Sequence, residues 1–438
     1  MVDERSGEPT PEESERIGTS VEARPLIVGY CGDSSAGGLR IFILAGQHGD
    51  ETDARGAASE YLAKIRRDGL RSGAWVAVLA DANPDGGAAH RRRNASDVDL
   101  NRDHLLLRAP ETRAVHSFVD RWRPDLIVDV HTYRPWRSEL LQYGFVFPHD
   151  VMLDVPTNPA ARTGSRSGMT TALLEFVKLR MAEASFRCDR YTLIRPSGIV
   201  RHSTVDILDA RNSLSLRFGI PTVLIEGRRT SPEDPPIFFP PHLALVRSIE
   251  AVVEWAELNA SQIKRAARTH FGAPIPVRCR YARAETPRYM ELQSSTAGSI
   301  RRVGIPGNYR PFVRTTKSIH PPRAYAVPRS FSLLLEILAR HHFHTRAPDQ
   351  FARAAFESYR IVRRERQGPE EHFPAPADCV HEAVRLDLDA FELFPTDQPG
   401  GRALALFLEP ASQFGLHRFA DLALGVLPDT VHPVARVV

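Results

Sequence analysis

The residues best suited to chemistry in this 438-residue chain are His48, Glu51, His131 and Glu226, because each stands at or just past the end of a short apolar run. Ile41 to Ala45 leads into Gly46-Gln47-His48-Gly49-Asp50-Glu51, Leu126 to Val130 ends at His131, and Thr222 to Ile225 ends at Glu226. Another run, Trp75 to Ala80, leads into a segment carrying Arg92, Asn101 and Arg102. Parallel α/β sheets put functional residues just beyond the carboxyl ends of their strands, so these groups are expected to meet in one crevice. Two imidazoles and a carboxylate form a zinc-ligand set that leaves one coordination position open. Taken alone, a His-x-x-Glu pair or a histidine at a strand end is usually an ordinary solvated residue. The shared structural slot is what sets this group apart. Glu226, behind a β-branched apolar run, suits a general base whose pKa is raised by burial, or else an ion pair with Arg228 or Arg229. Arg92, Asn101 and Arg102 offer fork and amide donors to a carboxylate or a developing oxyanion, with Arg91 and Arg93 competing equally for the place of Arg92. Asp99 is placed to orient His48.

The elements that must position these residues follow from periodicity. Ala54, Ala57, Ala58, Tyr61, Leu62 and Ile65 recur at helical spacing, and Gly69 stops that helix. Pro110-Glu111 opens a second helix with Val115, Phe118, Val119 and Trp122 on its buried stripe, and a third runs from about Leu243 to Leu258. Strand-like runs alternating with amphipathic helices imply an α/β fold, with a mixed, largely parallel sheet between helices, over residues 21–260. Pro148 to Gly168 reads as a long loop beside the pocket. Beyond residue 260, prolines and arginines precede a helix at Phe331–Arg340, with Leu333, Leu334, Ile337 and Leu338 inward, and β-like segments at Tyr359–Val362, Ala383–Leu388 and Ala403–Leu408. Residues 261–438 are therefore expected to form a smaller α+β or β-rich accessory domain. His341-His342-Phe343-His344 fits the negative end of a helix dipole better than a second metal site, and Arg211-Asn212 fits a solvated helix surface.

Bulk properties narrow the function classes. With 42% apolar and 25% charged residues the chain has globular composition, and no apolar stretch approaches a membrane span. The net charge is +4, and the arginine clusters are short and interrupted by acids, which argues against a nucleic-acid partner. Residues 1–20 read as a disordered tail, without the basic start and apolar segment of a secretory signal. Cys31, Cys188, Cys279 and Cys379 are too scattered for a disulfide framework, and a reducing cytoplasm fits best.

The motifs also carry a family resemblance. Gly46 to Glu51, Asn83-Pro84-Asp85-Gly86, Arg92 through Val98-Asp99-Leu100-Asn101-Arg102, Asp129-Val130-His131 and Pro221 to Glu226 resemble, in order and spacing, the zinc carboxypeptidases of the carboxypeptidase A type. The resemblance covers roughly residues 25–260. It implies one Zn2+ held by His48, Glu51 and His131, with Glu226 activating water and shuttling its proton. It also implies that Arg92 polarises the scissile carbonyl, that Asn101 and Arg102 grip a terminal carboxylate, and that the fold is an α/β/α sandwich. The substrate is then a peptide or N-acyl amino acid with a free carboxylate, with no nucleic acid or membrane partner. Asp103-His104 replace the usual residues after Asn-Arg, including an aromatic, and the interval from His131 to Glu226 is long, implying an inserted loop. The family's mobile tyrosine has Tyr191 as a candidate match, or His202 as a polar substitute. The carboxyl-terminal region is similar to that of certain larger bacterial members. Succinylglutamate desuccinylase and aspartoacylase share His-x-x-Glu, Asp-Leu-Asn-Arg and Asp-x-His-Thr, so a small-molecule deacylase is the alternative; a murein-peptide amidase and a zinc-binding pseudoenzyme are further ones.

Overall fold

A computed structural model describes residues 14–438 except 33–36, 71–72, 162–165, 230–240, 267–272, 286–287, 306–307, 365–376 and 426. Its strands through the first part of the chain are Ser14–Thr19 (β1), Pro25–Gly32 (β2), Arg40–Ala45 (β3), Trp75–Leu79 (β4), Leu126–Tyr133 (β5), Phe145–Val146 (β6), Val151–Asp154 (β7), Cys188–Arg190 (β8), Leu193–Ile194 (β9), Val200–Arg201 (β10) and Thr222–Arg228 (β11). The main sheet has the order β1-β2-β4-β3-β5-β11-β7-β8. Its centre is parallel through β4, β3, β5 and β11. The pairs β1–β2, β2–β4 and β11–β7 are antiparallel. The sheet is therefore mixed and largely parallel, as the alternation of runs implies.

The helices are Thr52–Asp68 (α1), Pro84–Ala88 (α2), Pro110–Trp122 (α3), Ser138–Leu141 (α4), Arg166–Glu183 (α5), Ala210–Phe218 (α6) and Pro241–Leu258 (α7). Apolar residues of α1, α5 and α7 cover one face of the sheet, and those of α3 and α6 cover the other. Sandwiched this way, every residue of β5 is buried, which is why the central strands read as unbroken apolar runs. Gly69 ends α1 at a φ of +79°, a conformation that glycine adopts without a Cβ penalty.

Four expectations need correction. The tail read at residues 1–20 falls partly on 1–13, outside the described residues, but Ser14–Thr19 form an edge strand. That strand is anchored by Glu15, which accepts a 2.7 Å hydrogen bond from Tyr30 Oη and pairs with Arg121. Within the supposed Pro148–Gly168 loop lies β7, a fully buried strand paired with β11; four apolar-flanked residues gave too short a period to see. Ala403–Leu408 belongs to a helix, Arg402–Leu408, and since all its residues are buried no polar face exposes the helical period. Leu333 is largely solvent-facing, whereas Leu334, Ile337 and Leu338 point inward as expected.

Beyond residue 260 the chain forms a five-stranded sheet from Ala324–Pro328, Phe356–Arg364, Ala377–Val384, Phe391–Pro395 and Ala435–Val437. Its apolar residues share one cluster with earlier ones: Tyr325, Leu338 and Phe407 pack with Leu105, Ile207 and Leu216. Arg217 on α6, also buried, donates to the carbonyls of His341 and Pro399 and lies 4.4 Å from the Phe343 ring centroid. Smaller strands reach back further. Tyr289–Ser294 extends β6, and Tyr309–Arg310 pairs in parallel with β10.

A row of fully buried histidines joins the two parts. His104 Nε2 lies 2.7 Å from Gln47 Oε1, and His104 Nδ1 lies 3.1 Å from His116 Nε2. His116 meets the His341 ring edge-on, and His341 Nε2 donates to the Leu105 carbonyl at 2.8 Å. His341 thus serves as a core hydrogen-bond donor, not a helix-end charge. Burial pushes His104 from 6.5 down to about 4, His341 down to about 3, and His116 well below its ordinary value. Unfolded, all three would take up protons near 6.5, so the stability of their neutral, buried forms is lost as pH falls from 6.5 toward those depressed values. The urea midpoint is expected to drop between about pH 7.5 and about pH 5.5 by the equivalent of about 1 kcal/mol per histidine, and a His341→Gln variant should lose one such increment. An unchanged difference in that variant would rule out the assignment.

Candidate metal centre and its cavity

Strand register brings the site together. Glu226 on β11 stands directly beside His131 on the parallel strand β5. On the other side of β5, β3 ends at Ala45 beside Val130, and the chain turns through Gly46 at a φ of +70° to deliver His48 and Glu51 ahead of α1. Asn83 braces this turn. Its Nδ2 donates to the carbonyls of Gln47 and Arg92, both at 3.2 Å, while its Oδ1 accepts from Gly86 N at 2.9 Å. Gly49 packs so closely on the Gly86 backbone that a Cβ would come within 2.0 Å of it. The Asn-Pro-Asp-Gly block is therefore scaffold, locking the metal-loop turn to the segment carrying Arg92.

His48, Glu51 and His131 are buried, and one ligand atom from each lies within 4.8 Å of the others. Glu51 Oε1 lies 2.8 Å from His48 Nδ1, and its Oε2 lies 3.1 Å from His131 Nδ1. Each imidazole has a carboxylate at its far nitrogen: Asp99 Oδ1 is 3.2 Å from His48 Nε2, and Asp129 Oδ1 is 3.1 Å from His131 Nε2. This fixes both rings with Nδ1 inward, the arrangement that raises ligand basicity at a metal. Two imidazoles and one carboxylate fit a borderline-soft divalent cation, and a hard oxygen-seeking one less well. Burial opposes ionisation of Glu51, yet His48 and His131 outweigh it and hold the carboxyl well below its ordinary range. Burial likewise opposes charge on His131, and Asp129 and Glu51 overcome it, raising that imidazole well above 6.5.

Glu226 has no hydrogen-bond or ion-pair partner among the described residues, and burial lifts its carboxyl to about 7. The ion pairs open to it in the sequence go elsewhere: Arg229 binds Asp50 at 3.0 Å and approaches Glu51 at 3.5 Å, and Arg228 donates to the Phe147 carbonyl. Of the three arginines, Arg92 is the one in the cavity lining, with its Nε 3.0 Å from Asp99 and its Nη1 3.9 Å from Glu51. Asn101 accepts from Ala210 N at 2.9 Å and brings Nδ2 within 3.0 Å of His131 Nε2. Arg102 donates to the Asn101 carbonyl and is exposed.

His48, Glu51, Arg92, Asn101, Arg102, Asp129 and Glu226 line one cavity of about 870 Å³, together with Tyr191, Arg137, Arg201 and Tyr281. Of the two candidates for a mobile tyrosine, Tyr191 lies in this cavity. His202 instead bonds the Tyr191 carbonyl and Tyr309 Oη behind its wall. Sequence reasoning missed Asp129, although it precedes His131 by two residues on the same face of a strand, the signal that could have found it. Tyr281 had no signal, lying beyond residue 260. Arg211, read as solvated, is buried on Asp209 at 2.9 Å and Asp154 at 3.4 Å, stiffening the wall from behind. Two arginines, Arg190 and Arg211, offset the burial of Asp154 and bring its carboxyl down to about 2.

Fold and site thus define an α/β sandwich with a His-Glu-His centre at the carboxyl edge of its sheet. No family model matches the chain. Over 191 residues, 41% of this chain, it is 24% identical to carboxypeptidase 2 of Trichophyton rubrum and covers 35% of that protein. The carboxypeptidase 2 of Trichophyton tonsurans matches at the same identity and coverage. The chain spans about a third of the length of these curated relatives. A metallo-carboxypeptidase structure from Burkholderia cenocepacia superposes with a TM-score of 0.46 at 19% identity, covering 57% of this chain and 66% of that one. Over that shared part the chain is therefore similar to carboxypeptidases, and it carries a His-Glu-His group able to hold a metal ion.

Asp129→Asn is expected to weaken divalent-metal affinity about 10–100-fold while leaving the fold intact, because it removes the carboxylate behind one imidazole. Competition titration against a chromogenic chelator measures this; unchanged affinity would show that His131 does not depend on Asp129.

Proposed function

We propose that this chain is a zinc-dependent amide hydrolase of the metallocarboxypeptidase kind, removing the carboxyl-terminal residue of a peptide. The observation that carries the proposal is the buried His48–Glu51–His131 trio beside a half-buried Glu226 that has no partner among the described residues, with His48, Glu51 and Glu226 lining one cavity. When bound, a zinc ion supplies Lewis acidity toward a carbonyl oxygen and toward water.

The chain's own residues do the rest. Glu226, raised by burial and without an ion-pair partner among the described residues, takes the proton of the attacking water and passes it to the departing amine. Arg92, held by Asp99, presents its guanidinium to the oxygen on which negative charge develops. Asn101 and Arg102 orient the substrate's terminal carboxylate, and Tyr191 closes the same side of the cavity. The reading that the protein works in a reducing, cytoplasmic setting rests on the scattered placing of Cys31, Cys188, Cys279 and Cys379 along the sequence. Among the described residues no helix is long and apolar enough to cross a membrane.

Incubation with a mixed library of peptides and N-acyl amino acids, followed by mass spectrometry, tests the proposal. Removal of single residues from peptide carboxyl ends, abolished by a chelator, is the expected result; release of acyl groups alone would move the protein to the deacylases. His48→Ala should lose zinc with its fold retained. Glu226→Gln should keep stoichiometric zinc and lose at least about a thousandfold in kcat, and retained turnover would remove Glu226 as the base. Because the base must be ionised, kcat/KM is expected to fall as pH drops through the Glu226 pKa.

A further inference from the structure

We propose that the cavity contains a second anion subsite, for an acidic side chain on the residue that leaves from the peptide's carboxyl end; this rests on the carboxypeptidase reading. The argument begins with a surplus of guanidinium groups. Arg102, Arg137, Arg195 and Arg201 all line the cavity, and none has a carboxylate within ion-pair distance among the described residues. A single terminal carboxylate needs one such fork, together with an amide, and Arg102 with Asn101 would provide them.

The acids of the cavity do not neutralise the remainder. Asp206 is gripped by both Nη atoms of Arg418, at 3.0 and 2.7 Å. Asp209 pairs with Arg211 at 2.9 Å and Asp50 with Arg229 at 3.0 Å. Glu139 and Glu226 also line the cavity, but neither lies within ion-pair distance of Arg137, Arg195 or Arg201 among the described residues, so these three face the open volume.

Their arrangement is built, not incidental. Tyr191, Leu193 and Arg195 alternate along one edge of a small hairpin and all reach the cavity. Arg201 sits directly across from Leu193 in the antiparallel pair β9–β10, so it joins the same face. The turn closes through Arg195 N to the Ile199 carbonyl at 2.8 Å, with Gly198 at a φ of +77°. Arg201 is clamped without being neutralised: its Nη1 donates to Tyr281 Oη at 2.8 Å and to the His202 carbonyl at 3.0 Å, and its guanidinium lies 4.4 Å from the Tyr281 ring centroid. Tyr281 Oη is itself fixed by Val205 N and the Ser203 carbonyl. Arg137 donates to Tyr191 Oη at 3.4 Å, and its buried Nε has no partner. Burial, with Arg195 nearby, pulls the Arg201 pKa below its ordinary value, and Tyr281 offsets this only in part.

Binding is measured in the Glu226→Gln background, where no product forms, by calorimetric titration with zinc-loaded protein. The probes are acetyl-Ala-Glu and acetyl-Ala-Gln, equal in shape and differing in one charge. The expected result is at least about tenfold tighter binding of the Glu peptide, shrinking to within about threefold in Arg195→Gln and Arg201→Gln. Arg201 also supports Tyr281, so Arg195→Glu provides a reading that lost folding cannot imitate: it should bind acetyl-Ala-Lys more tightly than acetyl-Ala-Glu. Equal affinity for the Glu and Gln peptides would overturn the subsite while leaving peptide trimming by the wild-type protein intact. Absence of any wild-type trimming would overturn the carboxypeptidase reading, and the subsite's role with it.

Discussion

A carboxylate that is almost wholly buried organises this protein: Glu51, 3% exposed, can stay ionised only if cations are fixed around it. His48 and His131 stand at its two oxygens, Arg229 approaches one of them, and the Thr132 amide donates to the other at 3.0 Å. Those imidazoles need carboxylates of their own, Asp99 and Asp129, and Gln47 ties Asp129 to His104. Each buried polar group thus creates a requirement that the next one meets, until the chain of partners reaches the histidines packed under the carboxyl-terminal region. Glu226 is the exception. It sits beside the cluster with no partner among the described residues, and such an uncompensated group is what the proposed hydrolysis would use.

Much of this was legible in the sequence because strand ends and motif order coincide. The runs before His48, His131 and Glu226 are central parallel strands, and doubly covered strands must be apolar on both faces. The stripe ending at Trp122 and the stop at Gly69 were readable for equally local reasons. What escaped was non-local or lacked contrast. The Arg402–Leu408 helix is buried all round, so hydrophobicity has no period to report. The Val151–Asp154 strand is short and hidden among loop-forming residues, and it is defined by its non-local pairing with β11 on one side and β8 on the other. Arg211 looks like any helix-surface arginine until Asp154 and Asp209, both distant or ambiguous in sequence, close on it.

The long interval between His131 and Glu226 proves to be the part that shapes the cavity. It adds β7 to the main sheet, and it lines the cavity with residues of α4, the β9–β10 hairpin and the loop carrying Ser203 to Asp209. The later chain then braces these additions, through Tyr309–Arg310 beside β10 and Tyr281 beneath Arg201. Residues past 260 therefore share both the apolar core and the site wall with what precedes them.

That bracing has a kinetic side. His48 and Glu51 are three residues apart, so their meeting costs almost no loop closure, whereas Arg201 must wait for Tyr281, 80 residues further along the chain. During synthesis the metal-binding turn has emerged long before the strand that steadies its cavity wall. The proposed reactivity and the proposed selectivity are thus acquired at different moments in the life of the molecule, and the second depends on the strand carrying Tyr281 having folded.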